Sequence, residues 1–240
     1  MQQTNLKEDL LRDLKKYKNR VFAKHHAKYF QTQKGRYGEG DFFWGIRVPQ
    51  QRIIARKYWK DISLKDVEEL LQNKIHEVRL TALIILVEKY KEASDNGKSN
   101  IVKIYLSNSK YINNWDLVDL SAPNILGYYW YNNSLEDFWK YAKSGNLWKE
   151  RIAMISTLYF IRHGRFTETL ELSRLFLGHK HDLIHKASGW MLREVGKINK
   201  KILILFLTKH YKVMPRTMLR YSIEKLSPEE RKYYIEKYKV

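Results

Sequence analysis

Hydrophobic residues recur along this chain at intervals of three and four rather than alternating. That period puts apolar side chains on one face of successive helices and predicts an all-α protein. Pro49, Pro123, Pro215 and Pro228 are the only prolines, so helices are seldom interrupted. Between Ile75 and Tyr90, the residues Ile75, Val78, Leu80, Ala82, Leu83, Ile85, Leu86 and Val87 crowd so closely that little polar face remains. A helix of this kind is buried among others rather than laid on a surface. Shorter amphipathic helices accompany it. The segments SLKDVEELL from Ser63 and SLEDFWKYA from Ser134 both open Ser-Leu-x-Asp, which predicts a serine N-cap and a carboxylate in the first turn, where the helix dipole favours it.

These two starts stand two periods of about 35 residues apart, an interval expected of paired-helix repeats. The same step taken from Arg79 in HEVRLTALIILV meets Trp115, Arg151, Lys186 and Arg220, each near the start of an apolar helical run. The predicted architecture is a HEAT-like α-solenoid of stacked antiparallel helix pairs with a concave basic face. One domain is expected over residues 1–240, with an N-terminal helical region over 1–58 and stacked helix pairs over 59–240. The turn-rich stretches QTQKGRYGEGD (31–41) and ASDNGKS (93–99) read as loops rather than domain boundaries.

Charge narrows the function. The 45 Lys and Arg outnumber the 26 Asp and Glu, for a formal charge of +19, while 44% hydrophobic residues suffice for a folded core. Such a field attracts polyanions, nucleic acid before an anionic membrane surface. The 17 tyrosines and 7 tryptophans favour nucleic acid, because aromatic faces stack on bases. With no cysteine, a disulfide scaffold, a thiolate metal site and a cysteine nucleophile are excluded. No run approaches the ~18 apolar residues that would span a bilayer, and the opening MQQTNLKEDLLRDLKK is charged and amphipathic, unlike a signal peptide. A cytoplasmic protein is expected.

Residues in equal phase on stacked helices form a column on one surface. The first column is Arg79, Trp115, Arg151, Lys186 and Arg220, a basic strip suited to tracking phosphates, although an arginine at this point is also a common structural ladder residue, Arg79 above all. One turn further on, Leu83, Asp119, Ile155, Trp190 and Glu224 form a second. Asp119 follows Trp115 by four residues, so both project from one helix face. A carboxylate among indoles and a guanidinium is suited to stabilising a positive charge on a ligand. The competing structural reading makes Trp115 and Trp190 core aromatics and pairs Asp119 with Arg151 or Arg193.

Asn114-Trp115-Asp116-Leu117-Val118-Asp119, with Arg151 in LWKERIAMIS and Trp190 in HKASGWMLREVGK, resembles the AlkD-like family of bacterial DNA alkylation repair glycosylases. Gly45-Ile46-Arg47-Val48-Pro49 after Phe42-Phe43-Trp44, and Met214-Pro215-Arg216-Thr217, extend the likeness over residues 30 to 225. The resemblance implies HEAT-like repeats wrapping duplex DNA, and a monofunctional hydrolase that releases N3- and N7-alkylated purines without drawing the base into a pocket. It implies Asp119 as the carboxylate beside the deoxyribose, Trp115 and Trp190 as its aromatic flanks, and Arg151 on a neighbouring phosphate. Further DNA contacts are expected from Arg47, Arg52, Arg79, Lys186, Arg193, Arg216 and Arg220. Tyr37 is the nearest candidate for an N-terminal aromatic that reaches the lesion in some members. The expected partner is double-stranded DNA containing alkylated purines, with no obligatory protein partner, no membrane and a monomeric state.

Other constellations carry less. His179, His181 and His185 with Asp182 could be drawn as a metal site, but they fall at a helix start where capping explains them, and hydrolysis of a cationic base requires no metal. No metal or cofactor is therefore expected. There is no G-x-x-x-x-G-K loop and no G-x-S-x-G elbow. Lys186 lies in the basic column, yet nothing marks it as an activated amine for strand cleavage. Two non-catalytic alternatives share the scaffold: a DNA-structure binder, and a protein-interaction module with buried tryptophans. The set Trp115, Asp119, Arg151 and Trp190 argues against both, and the charge against the second.

Overall fold

The computed structural model describes residues 5–238 and divides the chain into two compact units, Met1–Ser121 and Ala122–Val240. Helices begin where the sequence supplies caps. In the first unit Asn5 and Asn19 accept backbone N–H groups at the starts of α1 (Leu6–Lys15) and α2 (Arg20–Tyr29). Pro49 sits in the first turn of α3 (Val48–Tyr58), where its missing N–H has no consequence. Ser63 caps α4 (Leu64–Leu71) through the Asp66 N–H, as its motif predicts. Then come α5 (His76–Glu92), α6 (Asp95–Ser107) and α7 (Trp115–Ala122).

α5 is the axis of this unit. Every residue from His76 to Val87 is buried, because α3, α4 and α6 pack around it. Its lack of a polar face follows directly: a helix enclosed on several sides gains burial from each of them, on the order of 1.5–3 kcal/mol per large aliphatic side chain. The stretch 93–99 is not the loop its composition suggests. Ser94 accepts the Gly97 N–H, and α6 starts immediately at Asp95.

In the second unit the helical run of α7 continues through a π turn at Pro123–Gly127 into α8 (Tyr128–Asn132). There follow α9 (Glu136–Ala142), α10 (Leu147–Arg162), α11 (Thr167–Leu175), α12 (Asp182–Ile198), α13 (Lys200–His210), α14 (Arg216–Ser222) and α15 (Pro228–Lys237). Ser134 does not occupy the predicted cap: Leu135 does, and the Ser134 hydroxyl accepts the Glu136 N–H instead. α10 plays here the part of α5, buried without a break from Glu150 to Leu158 against the π turn, α9, α11 and α12. Helices start near each position reached by the 35-residue step, so the periodicity and the all-α class hold. Among the described residues the only β feature is one isolated parallel bridge, Phe42 to Ile75.

Two glycines set helix separations in this unit. A Cβ at Gly127 would lie 2.6 Å from the Ser156 carbonyl oxygen, and one at Gly189 would lie 2.5 Å from that of Met218. α12 and α14 therefore approach backbone to backbone. Gly189→Ala is expected to destabilise the protein by about 1–3 kcal/mol in urea denaturation through overpacking, whereas Gly178→Ala, with nothing within 4 Å of the added carbon, is expected to leave that crossing undisturbed.

Candidate functional site

The first turn of α5 carries His76, Glu77 and Arg79, all buried, and each organises a different segment. His76 lies between two carboxylates, its Nδ1 2.9 Å from Asp41 Oδ2 and its Nε2 2.8 Å from Asp116 Oδ2. Burial alone would keep this imidazole neutral, but Asp116 and Asp41 outweigh it and push the pKa up to about 9. Arg79 donates from Nη2 to Asp41 Oδ1 at 2.6 Å and from Nη1 to the Asn73 carbonyl at 3.0 Å. Asp41 is held below the usual carboxylate range: its burial raises the pKa, and His76 and Arg79 together overcome that. Glu77 accepts three consecutive backbone N–H groups, from Trp44, Gly45 and Ile46, at 3.0, 2.7 and 3.1 Å. Gly45 is required there. Its φ is +78°, and a Cβ would strike the Asn19 carbonyl oxygen at 2.1 Å.

This network fixes the start of α7. Asp116 reaches His76 with one oxygen and accepts its neighbour's N–H, from Leu117, with the other at 2.9 Å. Asn114 accepts the Trp115 N–H at 2.9 Å and donates to Asp41 at 3.3 Å. The Trp115 indole is stacked on Phe30, 5.3 Å between centroids, and meets Tyr29 edge-on at 5.9 Å. Phe30 continues into a stack with Phe43 and His76. Tyr29, Phe30, Phe43 and His76, with His26 and Asp116, line a cleft of ≈ 350 Å³. Asp119, half-buried, lies one turn beyond Trp115 on the same helix face.

The remaining predicted residues fall as follows. Arg47 is exposed at the N-cap of α3 with its guanidinium 4.1 Å from the Phe22 ring, and Arg52 is exposed on the same helix. Tyr37 is half-buried, its hydroxyl 3.4 Å from the Tyr29 carbonyl. Tyr29, 57% exposed, stands edge-on to Trp115. In the second unit Arg151 is 4% exposed and donates to the Leu183 carbonyl at 2.6 Å. Trp190 is half-buried, and its indole N–H is held by Glu194 at 3.0 Å. Lys186 pairs with Asp182 at 2.8 Å, and Arg193 pairs with Glu224. Arg216 and Arg220 are exposed on α14.

The first column is therefore not a uniform strip of available cations. Arg79 is 4% exposed, and its contacts with Asp41, Asn113 and two carbonyls occupy it structurally, which corrects its assignment to DNA. The histidines near residue 180 have local partners. His181 caps α12 by accepting the Leu183 N–H, and His179 lies 3.0 Å from Glu150. Sequence reasoning passed over Asp41, His76, Glu77 and Asp116. One signal was present: charged residues beginning a helix otherwise too apolar to tolerate them.

The raised pKa of His76 makes stability depend on pH with a definite sign. The imidazolium is favoured in the folded state, so its contribution is complete below 6.5, the unfolded value, and is lost as pH rises through about 9. Thermal denaturation across this range is expected to show wild type losing stability more steeply than His76→Gln. Equal slopes would contradict a charged His76.

The family model for DNA alkylation repair enzymes matches residues 10–226. No curated protein matches. Among solved structures, a predicted DNA alkylation repair enzyme from Enterococcus faecalis is similar with a TM-score of 0.69 and 17% identity, over 88% of this chain and 97% of that one. At that identity the likeness speaks for the fold, and the family match for descent. With its all-α fold and a match over most of its length, the chain belongs to the DNA alkylation repair enzyme family.

Proposed function

We propose that this protein is a monofunctional DNA glycosylase that hydrolyses the N-glycosidic bond of cationic N3- and N7-alkylpurines in duplex DNA. The observation that carries the reading is the pairing of Trp115 and Asp119 on α7, one turn apart on a helix whose first turn is tied down by Asp41, His76 and Asn114. A carboxylate beside an aromatic face, on a rigid element of a basic protein, suits a reaction that develops positive charge.

Alkylation at N3 or N7 leaves the purine cationic, so it departs as a neutral base without a proton from the enzyme. The barrier lies at the sugar. As the bond from C1′ to the purine nitrogen breaks, its electron pair goes to the purine, and the deoxyribose gains oxocarbenium character. Asp119 stabilises that charge and orients the water that adds to C1′, taking up the water's proton. Trp115 holds the sugar and backbone through its ring face, worth roughly 0.5–2 kcal/mol for a cation on an aromatic. The family resemblance names Trp190 as a second aromatic and Arg151 as a phosphate contact. No step requires a metal, a cofactor or a Schiff base, and the lesion is held from the backbone side. The products are a free alkylpurine and an unbroken abasic strand, released by a protein acting as a monomer.

Duplex DNA carrying a single N7-methylguanine provides the test. Base release above the spontaneous rate is expected from the wild type. Asp119→Asn should lower the enzymatic rate by roughly 10²–10³-fold, the usual cost of one electrostatic group in a transition state, with duplex affinity retained. Release unaffected by the substitution would remove Asp119 from the chemistry. Tight duplex binding with no release of this or a bulky N3-adenine adduct would point to a non-catalytic binder.

A further inference from the structure

The C-terminal helices hold a concentration of positive charge. Arg216 and Arg220 of α14 and Arg231 of α15 line one cleft of ≈ 270 Å³, with Tyr238 at its edge and Ile223 and Ile235 in its wall. No described lining residue is acidic, and none of the three arginines forms an ion pair among the described residues. The acids on these helices and their connection have other partners. Glu224 is paired with Arg193 and Lys225, Glu230 with Lys200 and the Ser227 cap, and Glu236 with Lys232, while Glu229 lies in the first turn of α15. Asp182, from α12, is paired with Lys186.

Three like charges around one cavity repel one another unless an anion joins them. The guanidinium fork matches a tetrahedral oxyanion, donating two parallel N–H bonds to each pair of oxygens, and several forks around one phosphate are a recurrent recognition mode. We propose that the cleft between α14 and α15 is a phosphate clamp that grips the backbone of the DNA strand, with Arg231 as a third member beyond Arg216 and Arg220. This rests on the reading that DNA is the ligand, but not on base release. The clamp contributes affinity and position rather than chemistry. Its arginines have no part in the events at the sugar.

The test uses undamaged duplex, which keeps it independent of the glycosylase reading. Affinity is measured against salt for the full chain, for Arg231→Gln, for Arg220→Gln/Arg231→Gln, and for Lys232→Gln, an exposed cation elsewhere on α15. Each lost phosphate contact is expected to lower the slope of log K against log salt by about 0.9. Arg231→Gln should therefore show about one such step and the double variant about two. Lys232→Gln, with the same loss of net charge, should show none, and unchanged melting temperatures would establish that all variants fold. Equal slopes for Arg231→Gln and Lys232→Gln would overturn the proposal, because Arg231 would then be ordinary surface charge. A second arm adds inorganic phosphate and deoxyadenosine monophosphate. If either raises the melting temperature through Arg231 while the duplex slope stays unchanged, the cleft serves a small phosphate and the DNA clamp is rejected. If the duplex slope falls as expected but N7-methylguanine is not released, the clamp stands and the glycosylase reading fails.

Discussion

The buried imidazolium of His76, fixed between Asp41 and Asp116, is the contact on which the rest of the first unit depends. It joins three segments far apart in sequence: the loop at residue 41, the start of α5 and the start of α7. Burying Asp41, His76 and Arg79 beside the half-buried Asp116 is costly in itself, and it is tolerated because the two carboxylates are balanced by the two cations. Removing Asp41 would leave Arg79 without its carboxylate and His76 with one of its two, a loss of about 3–5 kcal/mol for a buried pair. The arrangement thus contributes specificity of position more than stability. It selects one placement of α7, and with it one placement of Trp115 and Asp119.

Glu77 extends the same logic to the backbone. Three successive N–H groups of the 44–46 turn point at its carboxylate, an anion nest that only a buried acid at this helix position can fill. The turn orders Phe43, which stacks on Phe30 and His76, and Phe30 carries Trp115. Electrostatics at the base of α5 and aromatic packing above it are therefore successive layers of one support. Function in a family of DNA alkylation repair enzymes requires the reactive groups to hold their geometry against a mobile polyanion. A carboxylate on α7 gains its fixed placement from these neighbours.

Much of the fold is legible in the sequence, since the period of apolar residues and the density of the 75–90 segment report directly on helices and burial. The misread elements share a cause. Ser134 and the 93–99 stretch carry turn residues, and composition cannot tell whether such residues end a helix, cap it or sit just before the cap. Arg79 shows the same limit at the site. Its phase places it correctly on a helix, but its partner Asp41 is 38 residues away, so sequence alone cannot separate a phosphate contact from a buried ladder. Tyr29 was hidden for a related reason: its nearness to Trp115 depends on how α2 lies in the folded unit, with no local pattern to announce it. Trp115 and Asp119 were legible because both lie on one helix at a spacing that fixes their common face.

The charge state of His76 is the most direct test of this account, and nitrogen NMR of the imidazole reads it. With the side chain labelled with ¹⁵N, both ring nitrogens are predicted to be protonated at neutral pH, with one of the two protons lost near pH 9. A neutral ring at neutral pH, one nitrogen protonated and the other bare, would contradict it, because the two carboxylates would then not be joined through a cation and α7 would lack the tie that positions its carboxylate.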